Sequence, residues 1–225
     1  MSLQIVYQDE WLVAVDKPAG HLVHPAEQPK EGDLVTMKIL RDQIGQRVYN
    51  VHRLDRPTSG VLLFGIDREA ARGMHRAFAA HDVKKTYWAV VGGHPAEQQW
   101  QCDTPLRKHE GEKEKEARTF FQVLRHVSHP ELPDGLSLIE AIPQTGRFHQ
   151  IRRHLLGGGH PIIGDYRYAG IEVSDRYGEI LGTGTRMLLQ ARSLEFIHPV
   201  TSEPVRVSAP PAVEFGKCFS GETLL

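Results

Sequence analysis

Short apolar runs separated by polar turns mark the predicted elements of the N-terminal third. Residues 5–7 and 11–15 are apolar on either side of a polar triplet, and this pattern predicts a β-hairpin. Between residues 34 and 44 the apolar positions recur at helical spacing, which predicts a helix. Residues 61–66 are almost continuously apolar, and such a run is typical of a strand buried on both faces.

The same two periodicities continue to the C-terminus. Asp67 is a predicted N-cap for a helix over 68–81, and a second helix is predicted from near Thr145 and Gly146 to the glycines at 157–159. Apolar runs predict further strands at 85–91, 119–125, 136–142, 187–191, 194–197 and 204–209.

Strands outnumber helices in this prediction, and the two do not alternate one to one. The pattern therefore predicts an α+β fold with a mixed, mostly antiparallel sheet and flanking helices. No internal repeat or Pro/Ser-rich linker divides the sequence, so we expect a single domain over 1–225. The charged run at 107–118, with five Lys or Arg and four Glu, predicts a solvated, mobile loop.

The composition is that of an ordinary globular protein, with 40% hydrophobic and 24% charged residues. No apolar run approaches the roughly 20 residues that span a bilayer, and the N-terminus lacks the pattern of a secretory signal. Two cysteines are too few for a disulfide framework or a zinc site. We expect a cytoplasmic protein with no membrane partner.

Charge distribution is more informative than the net charge of −1. Residues 147–154 contain three arginines and two histidines and no acid, whereas the run at 107–118 mixes both signs. The predicted basic surface is therefore the segment that begins at Arg147.

Asp55 is the first candidate for chemistry, because it lies between Arg53 and Arg56 and just before the predicted buried strand. Neighbouring positive charge favours the ionised carboxylate, as a nucleophile or base requires. A salt-bridged turn is the alternative, and for an isolated Arg-x-Asp-Arg it would be preferred. The segment 145–154 shifts the balance towards a functional site.

Other kinds of site find little support in the sequence. The 13 histidines show no metal-binding spacing, since His149 and His154 are five residues apart with no acid between them that could serve a zinc protease. Ser59 lies in Thr-Ser-Gly and not in a nucleophile elbow. A paired-acid glycosidase needs a second carboxylic acid, and neither Glu140 nor Asp165 has an obvious partner.

Four segments, in order, resemble the RluA-type pseudouridine synthases. They read EWLVAVDKPAG at 10–20, HRLDRPTSG at 52–60, KTYWA at 85–89 and TGRFHQIR at 145–152. A weaker fifth match covers 186–199, where the family often has His at the position of Gln190. The resemblance extends over residues 5–209 and implies the pseudouridine synthase catalytic fold with a central active-site cleft.

The resemblance implies that a uridine in RNA is isomerised to pseudouridine, with no cofactor and no metal. Asp55 matches the catalytic aspartate. Three roles remain open for this carboxylate: attack on C1′, stabilisation of a cation-like sugar, and a glycal route. Tyr87 matches the active-site tyrosine, which can stack on the flipped uracil, although a core tyrosine is its alternative. Arg152 matches the arginine that pairs with the aspartate, and Arg147 is its rival.

The remaining basic residues have predicted roles in binding RNA. Arg53 would enter the gap that the extruded nucleotide leaves in the RNA. Phosphate or sugar contacts are predicted for four further residues: Lys17, Lys85, His149 and Arg153.

The RNA that serves as substrate is predicted from the loops and from the branch of the family that the chain resembles. Because the catalytic region begins by residue 5, we expect no S4-type RNA-binding domain, and the loops 25–33, 103–118 and 157–184 would set specificity. The chain is most similar to the TruC branch, which implies tRNA as the partner and uridine 65 as the target. The alternatives are a large-subunit ribosomal RNA target and a non-catalytic RNA-binding module. We expect a monomer.

Overall fold

The computed structural model describes residues 2–25, 28 and 30–219; predictions for residues 26, 27 and 29 of the 25–33 loop lie outside the described residues. Its elements in chain order are β1 (Gln4–Gln8), β2 (Leu12–Lys17), α1 (Thr36–Ile44), β3 (Tyr49–Asn50), β4 (Ser59–Gly65), α2 (Arg68–Ala80), β5 (Lys84–Gly92), β6 (Gln99–Cys102), β7 (Thr119–His129), β8 (Leu132–Pro143), α3 (Gln150–Gly157), α4 (Ile171–Ile180), β9 (Leu189–Ile197), β10 (Pro204–Ser208) and α5 (Val213–Cys218). The predicted α+β class with mostly antiparallel strand pairing is confirmed.

The described residues form two compact units, one from residues within 2–85 and 191–210 and the other from residues within 86–190 and 211–219. The single domain over 1–225 stays a prediction.

The first unit contains the strand order β1-β2-β4-β9, in which β1 pairs antiparallel with β2 and β2 pairs antiparallel with β4. Strand β3 pairs antiparallel with β4, and β10 pairs antiparallel with β9. The predicted N-terminal hairpin is confirmed as the β1–β2 pair. Strand β4 is buried along its whole length, as its apolar run predicts, and packs with Met74 of α2 in one hydrophobic cluster. Asp67 caps α2 as predicted, because its Oδ1 accepts a hydrogen bond from the Ala70 amide at 2.8 Å.

The second unit contains the antiparallel order β5-β8-β7-β6. Successive residues of β5 enter different hydrophobic clusters, because neighbouring side chains of a strand point to opposite faces. Trp88 and Val90 pack with Phe215 of α5, whereas Ala89 and Val91 pack with Leu155 of α3. Both faces of these strands are therefore covered.

Two boundary predictions are wrong. Helix α3 begins at Gln150, not near Thr145, because the Gln150 side chain closes the preceding residues into a turn by accepting from the Arg147 amide at 3.0 Å. The predicted strands 187–191 and 194–197 are one strand, β9, since the polar Ser193 keeps its place opposite Ser208 of β10. Strands β3 and β6 and helices α4 and α5 were not predicted.

Candidate active site

The motif at 52–60 forms the connection between β3 and β4 in the first unit. The Asp55 carbonyl accepts a hydrogen bond from the Thr58 amide at 3.1 Å, which closes a turn around Arg56 and Pro57. Asp55 is half-buried, and β4 begins four residues later at Ser59. The sequence therefore places this carboxylate on a tight turn that enters a fully buried strand.

His52 fixes the beginning of this connection. Its Nε2 atom accepts a hydrogen bond from the Leu63 amide at 2.9 Å, and its ring stacks on Phe78 with centroids 4.6 Å apart. Desolvation, followed by the charge of Lys85, lowers the pKa of His52 to about 3. The imidazole is thus neutral, with its proton on Nδ1, and serves as an acceptor three residues before Asp55.

The side chain of Lys17 stabilises the same turn through hydrogen bonds. Its side chain is fully buried, and its Nζ donates to the carbonyls of Pro18 at 2.8 Å, His21 at 3.0 Å and Arg56 at 3.2 Å. A buried ammonium must satisfy its three donors within the protein. The prediction of Lys17 as a phosphate contact is therefore wrong, because its charge is directed at backbone carbonyls.

The two arginines beside Asp55 have different surroundings. Arg56 donates through Nε to the Gly20 carbonyl at 2.9 Å, and its Nη2 lies 3.0 Å from Asp33. Arg53 is exposed, and its insertion into RNA stays a prediction. Lys85 is half-buried, and desolvation lowers its pKa, so it differs from a freely solvated phosphate contact.

Tyr87 and Arg147 belong to the second unit. Tyr87 is partly exposed and lies opposite Ala141 in the register of β5 and β8. Arg147 donates through Nε to the Glu116 carbonyl at 2.9 Å, and Arg153 donates to the Arg107 carbonyl at 2.8 Å. Two arginines of the basic motif therefore hold the charged loop 107–118, whose predicted mobility stays a prediction.

Arg152 forms a bidentate ion pair that the sequence did not predict. Its Nε and Nη2 atoms each donate to an oxygen of Asp165 at 2.7 Å, and the side chains are 5% and 1% exposed. The guanidinium also lies 4.9 Å from the centre of the Tyr168 ring. Asp165 is therefore the missed residue of this site. An acid two residues after the apolar pair Ile162 and Ile163 was the available signal, since a buried carboxylate requires a partner.

His149 lies at the N-terminus of α3 in a left-handed backbone conformation, with φ of 54°. Its Nδ1 is 2.9 Å from the Tyr168 hydroxyl, and its ring stacks on Phe148 at 3.7 Å between centroids. The guanidinium of Arg167 lies 5.6 Å from the Phe148 ring centre. Aromatic faces and cations are thus interleaved, and single-stranded RNA is bound by such surfaces.

The described part of the chain contains no cluster of three or more His, Cys, Asp or Glu side chains that could hold a metal ion. No helix within the described ranges is long and apolar enough to cross a membrane.

Comparison with known proteins places these features in a family. Residues 11–156 match the family model described as RNA pseudouridylate synthase. The chain is 41% identical to the tRNA pseudouridine synthase C of Haemophilus ducreyi, over 93% of this chain and 91% of that protein. It is 40% identical to the protein of the same name from Vibrio cholerae, over 92% and 90%. Among solved structures, human RNA pseudouridylate synthase domain containing 1 matches with a TM-score of 0.76 and 28% identity, over 93% of this chain and 83% of that one.

Proposed function

Because this chain belongs to the RNA pseudouridylate synthase family, of the RluA type, we propose that it converts one uridine of a tRNA, uridine 65, to pseudouridine. The observation that carries the tRNA assignment is identity of about 40% over at least nine tenths of both chains with proteins named tRNA pseudouridine synthase C. Members of the family are isomerases that act on RNA, and the proposal adds the class of RNA and the position.

In the proposed reaction Asp55 is the catalytic residue. The N1–C1′ bond of the uridine breaks and its electron pair leaves with the uracil, while the carboxylate attacks C1′ or stabilises the cation-like sugar. The base then turns and C5 bonds to C1′, which breaks any ester bond between C1′ and the carboxylate. The C5 proton is lost and N1 of the uracil takes up a proton. Substrate and product have the same composition. The half-buried position of Asp55 on a turn fixed by His52 and Lys17 supports this role.

We assign roles in the substrate-binding site to Tyr87 and Arg152. The partly exposed ring of Tyr87 would stack on the uracil, a contact worth on the order of 1–3 kcal/mol. Arg152 would orient the catalytic carboxylate. Its Nε and Nη2 atoms already hold Asp165, and this fixed geometry supports a positioning role for the guanidinium.

Arg53 and Arg147 would bind the RNA substrate. The exposure of Arg53 supports insertion into the gap left by the flipped base. We further propose that Arg153 and His149 contact phosphate or sugar, and that the protein acts as a monomer in the cytoplasm.

The test is a gene deletion followed by carbodiimide-stop mapping of pseudouridines in total tRNA and ribosomal RNA. The proposal expects loss of one mark, at uridine 65 of tRNA, with restoration by the wild-type gene and not by Asp55→Asn. Loss of a mark in large-subunit ribosomal RNA would replace the tRNA assignment. No loss in either RNA would favour a non-catalytic RNA-binding protein.

A further inference from the structure

A basic groove, which none of the site residues above lines, lies between α1 and α2 in the first unit. Its volume is about 460 Å³. Its charged and titratable lining residues are Lys38, Arg41, Arg47, Arg68, Arg72 and His75. No acid is among the described residues that line it. For a chain with a net charge of −1, five arginines and lysines at one groove are a marked concentration of positive charge.

Two acids near the groove neutralise it only in part. Asp42 lies 2.7 Å from Arg41, and Glu69 lies 2.7 Å from Arg72, and all four side chains are at least half exposed. Exposed ion pairs of this kind are weak and are screened by salt. A polyanion can therefore compete with both acids for the arginines.

The positions of Arg47 and Arg68 both favour the binding of an anion. The Arg47 guanidinium lies 5.1 Å from the centre of the Tyr49 ring, which restricts its plane before any ligand arrives. Arg68 is the first residue of the 13-residue helix α2, where the helix dipole disfavours a cation. A bound anion at this position would relieve that repulsion.

The groove also lies close to the proposed catalytic residue along the chain. Asn50 lines the groove, and Asp55 follows it by five residues within the same unit. A fully extended chain advances at most about 3.6 Å per residue, so the two Cα atoms are within about 18 Å of each other. One folded RNA can therefore contact both.

From these features we infer that the α1–α2 groove binds the sugar–phosphate backbone of the RNA substrate, at a segment other than the one that carries the target uridine. Several separate cations along two helices match the repeated charges of a polynucleotide better than a single phosphate. The inference rests on the proposed function, because it takes the RNA substrate as the occupant. It adds a second contact that would favour a complete folded RNA over a short fragment.

The test compares the triple variant Arg41→Gln/Arg68→Gln/Arg72→Gln with wild type and with Arg206→Gln. Arg206 is a matched control because it is an exposed cation of the same unit, on β10, outside the groove. Two substrates are used, namely a complete tRNA transcript and a short stem-loop that carries only the target uridine and its flanking nucleotides. Thermal unfolding confirms that each variant is folded.

We expect the triple variant to raise the Kd and KM for the complete transcript by about tenfold or more at low salt, with kcat unchanged. The slope of log Kd against log salt concentration should fall by roughly 2, since each lost phosphate contact removes about 0.7–0.9. Kinetics on the stem-loop should equal those of wild type. Arg206→Gln should match wild type on both substrates.

An unchanged Kd and salt slope for the complete transcript would overturn the inference, as would equal weakening on the stem-loop. The groove would be assigned to a free anion instead if inorganic phosphate competed with the transcript for wild type while the triple variant bound the transcript as wild type does. A last outcome separates the two proposals. If wild type forms no pseudouridine in any RNA but the triple variant still loses affinity for the transcript, the proposed function is wrong, whereas RNA binding by the groove is supported.

Discussion

The Nε2 atom of His52 accepts a hydrogen bond from the backbone amide of Leu63 at 2.9 Å. Strand β3 pairs with β4 only as far as Asn50 opposite Phe64. At Leu63, the next residue of β4, the acceptor of the amide is a side chain and not a backbone carbonyl. The imidazole thus replaces the backbone carbonyl of a partner strand. The chain can therefore turn away from β4 towards Asp55, while His52 keeps the start of this turn hydrogen-bonded to β4.

Replacement of His52 by Gln should make the stability of the protein less dependent on pH. The folded-state pKa of about 3 lies below the unfolded value of about 6.5, so the unfolded chain binds the proton more readily. The stability that this neutral imidazole contributes is present above pH 6.5 and is lost as the pH falls towards 3, at about 1.4 kcal/mol per unit.

Urea unfolding at pH 7.5 and pH 5 measures this effect. The loss of unfolding free energy between the two values should be smaller in His52→Gln than in wild type by about 2 kcal/mol. The exposed His24→Gln is the control and should behave as wild type. Equal losses in His52→Gln and wild type would mean that the ring is not held neutral.

Asp55→Asn should abolish pseudouridine formation, because the amide keeps the shape of the side chain but lacks the negative charge that acts at C1′. RNA binding should stay within several-fold of wild type, since the change leaves the basic residues in place. The measurements are pseudouridine formation on a tRNA transcript and Kd by filter binding. Robust turnover by this variant would contradict the catalytic assignment.

Tyr87→Phe should fold and bind RNA, because the aromatic face that we propose to stack on the uracil survives the loss of the hydroxyl. We expect a Kd close to that of wild type in the same binding measurement. A Kd about tenfold higher, equal to the loss of some 1.4 kcal/mol, would exclude stacking as the main role of the ring.

Arg152→Lys should impair both stability and turnover. A lysine supplies a point charge, and it cannot reproduce the two parallel hydrogen bonds that the guanidinium makes to the buried Asp165. Denaturant unfolding should show a loss of roughly 2–4 kcal/mol, by analogy with broken buried ion pairs. The neighbouring Arg153→Lys is the control, since Arg153 donates to a backbone carbonyl. Wild-type stability and turnover in Arg152→Lys would rule out a structural need for the planar group.

Local patterns predicted the elements of this fold well, whereas the partners of charged groups were harder to predict. The apolar runs at 5–7 and 11–15 and the apolar run before Gly65 predicted strands, because the burial of strand residues leaves a local signature in the sequence. The buried state of Lys17 depends on carbonyls as far away as Arg56, 39 residues along the chain. No local pattern reports such a partner. The pairing of Arg152 with Asp165 likewise arises only once the chain beyond α3 has folded back.

Gly60→Ala should strongly destabilise the first unit. Gly60 has φ of +103°, and a Cβ atom at this position would lie 2.1 Å from the carbonyl oxygen of Ala191. A backbone atom of a neighbouring strand cannot move aside as a flexible side chain can. Backbone strain of about 1–2 kcal/mol and overpacking of about 1–3 kcal/mol should together lower the unfolding free energy by roughly 2–5 kcal/mol.

Gly157→Ala is the matched control, because Gly157 is helical in α3 and open space surrounds its added Cβ. Alanine there should stabilise the protein by up to about 1 kcal/mol, since it restricts the unfolded chain. Both variants are measured by urea unfolding, and Gly60→Ala should also lose turnover, because Gly60 begins β4 beside the Asp55 turn. If Gly60→Ala unfolds at the same urea concentration as wild type, β4 and Ala191 are not packed as closely as the structure shows.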